Sequence, residues 1–166
     1  MENAGTLRKE GGVATRPRIV PETKPIQILM IEDNPGDVRL TQEALKRGRI
    51  WSSVAVARDG VEAMEFLHQT GKFAAAPRPD LILLDLNLPR KDGRQVLAEI
   101  KADEKLRVIP VVVLTTSRSE EDVLKAYGLY ANCYITKPID FHRFAWIIQG
   151  IQDFWFTIVK LPRKHE

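Results

Sequence analysis

The chain reads as an α/β protein with a doubly wound, five-stranded parallel sheet in the order 2-1-3-4-5. Two observations predict it. Five short apolar runs alternate with amphipathic stretches of helical period, and such alternation builds a parallel sheet with helices on both faces. Most of the runs are apolar at successive positions, as strands covered on both faces must be. Right-handed crossovers then leave few topologies.

The elements follow in order. IQILMI, Ile26 to Ile31, is the first strand. In DVRLTQEALKRG, Val38, Leu40, Thr41, Ala44 and Leu45 form a helical stripe that Gly48 stops. SSVAVAR, Ser52 to Arg58, is a weaker strand, and GVEAMEFLHQTG is a helix ending at Gly71. DLILLD, Asp80 to Asp85, is the third strand, and GRQVLAEIKAD turns Val96, Leu97 and Ile100 inward. VIPVVVLTT, Val108 to Thr116, is the fourth strand. Ser119 caps the next helix and acids fill its first turn. CYIT, Cys133 to Thr136, is the fifth strand. One long helix, capped by Asp140, runs through DFHRFAWIIQGIQDFWFTIV.

The organisation is that of one domain, residues 26–160, with a disordered N-terminal tail over 1–25 and a short C-terminal tail over 161–166. The 166 residues can bury a self-sufficient core. The net charge is only +3, and no basic stripe with interleaved aromatics points to DNA. Cys133 is the single cysteine, so a reduced, cytoplasmic setting is expected. The N-terminus lacks the apolar core of a signal peptide, and no apolar run is long enough to span a membrane.

In such sheets ligands sit beyond the carboxyl ends of the strands, near the point where strand order reverses. Glu32 and Asp33 follow the first strand, Asp85 closes the third, Thr115 and Thr116 close the fourth, and Lys137 follows the fifth. Each alone has a plain reading as a cap, a turn or a strand end. Together they ring one crevice. Unit charges 4 Å apart interact by about 4 kcal/mol at an effective dielectric near 20, so three acids there need a counterion. A hard divalent cation suits them, with Mg²⁺ the natural choice, and Lys137 offsets part of the charge. A site neutralised in this way can accept a phosphoryl group, with Thr115 donating to its oxygens and Asp85 as the central nucleophile.

On these residues, 26–160 resemble the receiver domains of two-component response regulators. The acid pair Glu32–Asp33, the acceptor Asp85, Thr115, Tyr134 and Lys137–Pro138 match the family pattern, with Pro89 and Gly93 in the loop after Asp85. IEDNPGDVRL, DLNLPRKDG, VVVLTTS and DFWFTIVKLP further resemble the stand-alone regulators paired with cyanobacterial phytochromes. The resemblance implies a flavodoxin-like receiver fold. It implies a signalling switch rather than an enzyme, phosphorylated on Asp85 by a histidine kinase of phytochrome type, with self-catalysed phosphotransfer and slow autodephosphorylation. Asp33, Asp85 and the Asn87 carbonyl would hold Mg²⁺, with Glu32 acting through water. Thr115 and Tyr134 would move inward on phosphorylation. Thr116 departs from the very small residue usual after the switch hydroxyl, and narrows access to the site.

Two other functions compete: an Mg²⁺-dependent aspartyl-phosphate hydrolase and a receiver-like module that is never phosphorylated. Asn87 stands where such a hydrolase needs an acid, and the intact acidic set disfavours the silent module. No second domain is expected after the final helix, so the signal must leave through a partner or through self-association. The last helix carries more apolar residues than one buried stripe needs. Trp146, Phe154, Trp155 and Phe156, with Tyr127 on the fourth helix, are the expected homodimer interface.

Overall fold

A computed structural model describes residues 24–162. The expected tails, 1–25 and 161–166, fall outside the described residues apart from Lys24, Pro25, Leu161 and Pro162. The strands are β1 (Ile26–Ile31), β2 (Ser52–Ala57), β3 (Leu81–Leu84), β4 (Val111–Thr115) and β5 (Cys133–Thr136). They form one parallel sheet in the order β2-β1-β3-β4-β5. The helices are α1 (Pro35–Arg47), α2 (Gly60–Leu67), α3 (Gly93–Ala102), α4 (Glu120–Gly128) and α5 (Phe141–Asp153).

Alternating side chains of the central strands feed two separate cores. Leu29, Ile31, Ile82, Leu84, Val111 and Val113 pack with α2, α3 and Ala126 of α4. Ile28, Met30, Leu81, Leu83, Val112 and Leu114 pack with α1 and α5. Both faces are apolar because both are covered, which is why these strands read as unbroken runs. Among the described residues no helix is long and apolar enough to cross a membrane.

Several boundaries move, each for a local reason. The first helix begins at Pro35, before Asp37, because Asn34 accepts the N–H groups of Gly36 and Asp37 and Pro35 suits the first turn. The second helix stops at Leu67 rather than Gly71. Gln69 takes a left-handed conformation, and Gly71 sits in a separate 3₁₀ turn. The fourth strand starts at Val111 rather than Val108, because Ile109 closes a turn on the Leu106 carbonyl. Tyr130 lies beyond α4, left-handed and exposed.

The last helix differs most. Regular α-helix ends at Asp153, and Phe154–Ile158 form a π turn closed by Val159 N–H on the Phe154 carbonyl. The wider turn changes the phase of everything after it. Trp155 and Phe156, expected at an interface, are instead half-buried against the α1–α5 core, and Leu161 is buried in that core. Trp146 and Phe154 are exposed as expected, and Ile158 is 74% exposed as well. Gln152, buried in the same helix, donates to the Leu45 and Ile50 carbonyls and so closes the far end of α1.

Candidate functional site

The carboxyl ends of four strands supply the site. Glu32 follows β1 directly, and its N–H bonds to the Ala57 carbonyl at the end of β2. Its Oε1 accepts the Asn34 N–H at 3.1 Å, which turns the chain into α1. Asp85 extends β3, with its N–H on the Ile31 carbonyl. Thr115 ends β4, and the Lys137 N–H bonds to the Thr115 carbonyl at 2.7 Å. These backbone bonds hold the side chains on rigid elements.

Asp85 is 7% exposed and uses both oxygens. Oδ1 accepts the Thr115 hydroxyl at 2.9 Å and the Asn87 N–H at 3.0 Å. Oδ2 accepts Lys137 Nζ at 2.9 Å. Lys137 is 5% exposed and its ammonium has three donors, each spent on a carboxylate: Glu32, Asp37 and Asp85. Burial alone would lower the Lys137 pKa, but the hydrogen bonds that its ammonium donates to Glu32 and Asp37 overcome it and hold the amine above the usual lysine range. Burial raises Glu32 to about 7, although Lys137 pulls the other way.

Asp37 was not anticipated. It lies in the first turn of α1, 2.9 Å from Lys137. The available signal was its place five residues after Glu32 across a Pro-Gly start, which returns the helix to the strand end.

Carboxylate oxygens of Glu32, Asp33 and Asp85 lie within 4.8 Å of one another, with Asp33 exposed at the mouth. Hard oxygen donors at this separation fit a divalent cation with open positions for water. The residues present therefore suit the metal that the acidic cluster calls for. For Asn87, the structure gives an exposed residue whose N–H is bound to Asp85. Thr116 is exposed beside buried Thr115. Tyr134 is half-buried, and its hydroxyl donates to the Ser117 carbonyl at 3.1 Å. Tyr127, Trp146 and Phe154 are exposed and take no part in this site.

Residues 28–149 match the response regulator receiver domain. The chain belongs to this family. Response regulator Rcp1 of Synechocystis sp. is 52% identical over 138 residues, which cover 83% of this receiver and 94% of Rcp1. The crystal structure of the Mn²⁺-bound form of Rcp1 aligns with a TM-score of 0.81 at 52% identity, covering 84% of this chain and 100% of that one. The crystal structure of the phosphorylated cyanobacterial phytochrome response regulator RcpA aligns with a TM-score of 0.82 at 51% identity, with the same coverage. The receiver is a signalling protein close to phytochrome response regulators.

One glycine of the site has no room for a side chain. A Cβ on Gly93 would lie 2.6 Å from Leu86 Cα and 2.8 Å from the Leu86 carbonyl oxygen, and closer still to that of Asp85. These are backbone atoms that cannot swing aside. Gly93→Ala is expected to destabilise the receiver by about 1–3 kcal/mol and to displace the loop after Asp85. Thermal unfolding measures the first effect and phosphate uptake the second.

Proposed function

We propose that the receiver accepts a phosphoryl group on Asp85 from a phosphohistidine of a histidine kinase, with a phytochrome-type kinase as the donor. The observation that carries this reading is the environment of Asp85. A hydroxyl donor and an ammonium meet its two oxygens separately, inside a pocket of further acids. One Asp85 oxygen forms the new P–O bond as the P–N bond of the phosphohistidine breaks, and the histidine keeps the electron pair. Lys137 Nζ moves from balancing the Asp85 carboxylate to balancing phosphoryl oxygens, and the Thr115 hydroxyl donates to one of them.

Asp33, Asp85 and the Asn87 carbonyl would hold Mg²⁺, with Glu32 acting through water. The cation supplies positive charge to the transferring oxygens when bound. The Mn²⁺-bound form of Rcp1 and the phosphorylated form of RcpA support the same chemistry here. Thr115 and Tyr134 form the switch, and their inward positions on Asp85 and on the Ser117 carbonyl are those a phosphorylated state would favour. Slow autodephosphorylation ends the signal. The receiver works in the cytoplasm without binding DNA, and hands its signal on by partner binding or by a homodimer through Tyr127, Trp146 and Phe154. Light scattering with and without a phosphate mimic tests the homodimer; a monomer in both conditions would count against it.

The direct test of phosphorylation is incubation with Mg²⁺ and acetyl phosphate, followed by peptide mapping. A base-labile acyl phosphate on the Asp85 peptide is expected; an unmodified protein would refute the assignment. Thr116, exposed next to Thr115, would narrow access to the site, so Thr116→Ala is expected to shorten the lifetime of the phosphorylated form by roughly two- to tenfold, or about 0.4 to 1.4 kcal/mol of barrier. Decay of the labelled protein after donor removal measures it.

A further inference from the structure

Arg94, in the first turn of α3, lies outside the carboxylate cluster, yet each nitrogen of its guanidinium meets a carboxylate. Nε donates to Asp122 Oδ1 at 3.0 Å, and Nη2 reaches the same oxygen at 2.7 Å. Nη1 holds Asp92, the cap of α3, at 3.1 Å. Asp122 belongs to the first turn of α4, and its other oxygen accepts the Ser117 hydroxyl at 2.6 Å. The Ser117 carbonyl in turn accepts the Tyr134 hydroxyl. An unbroken run of hydrogen bonds therefore joins α3, α4, the loop after β4 and the aromatic side chain of β5.

We propose that Arg94 is a positioning residue for the switch. Through Asp122 and Ser117 it holds the loop after Thr115 where that loop's carbonyl captures the Tyr134 hydroxyl, and so favours the inward arrangement of both switch residues. The proposal rests on the reading of Thr115 and Tyr134 as the switch. Its physical basis is a small bias applied to a near-balanced choice. A hydroxyl-to-carbonyl bond nets only about 1 kcal/mol, since water can replace either partner. Charge-assisted bonds are stronger, and those made by Asp122 immobilise the acceptor before Tyr134 arrives. The pair is also partly shielded from solvent: the side chains of Arg94 and Asp122 are 27% and 17% exposed. Arg94 lowers the pKa of Asp122 and keeps it ionised, as the clamp requires.

The experiment labels the full chain with 3-fluorotyrosine and follows Tyr134 by ¹⁹F NMR without metal, with assignment by Tyr134→Phe. In the wild type this signal is expected to resist broadening by a soluble paramagnetic agent. In Arg94→Met and in the isosteric Asp122→Asn it is expected to shift towards free fluorotyrosine and to broaden, while the Tyr127 and Tyr130 signals stay in place. A Tyr134 signal unchanged in both variants overturns the proposal, and either variant suffices if the other does not fold. In a second arm, uptake from acetyl phosphate is expected to slow roughly three- to tenfold in Arg94→Met, with no further loss when that change is added to Tyr134→Phe. Equal rates, or losses that simply multiply, overturn it as well. A wild type that takes up no phosphate would sink the phosphoacceptor reading, and the NMR arm alone would then decide the clamp.

Discussion

Asp85→Asn is expected to take up no phosphate from any donor and, without metal, to be more stable than the wild type. The first effect follows from chemistry: an amide oxygen is a poor nucleophile and forms no acyl phosphate. The second follows from the charge around it. Three carboxylates, those of Glu32, Asp37 and Asp85, share one ammonium, Asp33 adds a fourth negative charge beside Glu32 and Asp85, and Asp85 is almost fully enclosed. Removing one negative charge relieves repulsion, while Lys137 keeps its other two partners. The gain is expected to be on the order of 1 kcal/mol. Thermal unfolding with a chelator measures it, and saturating Mg²⁺ should narrow or reverse the difference, because the cation binds the wild type more tightly. An Asp85→Asn protein less stable than the wild type in chelator would contradict this account of the site.

Lys137→Met is expected to destabilise the metal-free receiver by about 3–5 kcal/mol, the usual consequence of stranding buried charge. Its three partners lose their common cation, and Glu32 is the most enclosed of them, at 2% exposure. The loss should depend on pH with a definite sign. Glu32 rises from 4.5 to about 7 in the folded wild type, so the folded state binds more protons than the unfolded state between those values. Its contribution is present below about 4.5 and is lost as pH rises through about 7. Without Lys137 the carboxyl prefers its proton still more, so the variant should be weaker at pH ~8 than at pH ~6 by a wider margin than the wild type. Mg²⁺ should recover part of the loss at the higher pH. Urea midpoints at the two pH values, with and without Mg²⁺, test all three statements, and a pH-independent difference would refute the charge argument.

The strands and the ring of groups at their ends were legible because they depend on features that sequence carries locally. A strand covered on both faces leaves an apolar run, and Asp85 breaks such a run where burial makes a charge costly. Lys137 declared itself the same way, after a short apolar strand. Asp37 did not, because acids are common in the first turn of a helix and this one resembles any other. Arg94 and Asp122 lie 28 residues apart on different helices, and no local period links them. Trp155 and Phe156 were misplaced for a different reason. The expectation assumed one continuous helical phase, and the π turn broke it.

That last feature has a bearing on how this end of the chain tolerates change in length. A five-residue loop of backbone takes up one residue more than a regular turn does. Removing a single residue between Phe154 and Ile158 would let the helix continue without interruption, and would swing all that follows by about 100°. Leu161 would then leave its seat in the core beneath α1 and α5. The register of the closing segment is thus held by packing rather than by helix geometry, and it is sensitive to insertion and deletion in a way that the sheet's surface loops are not.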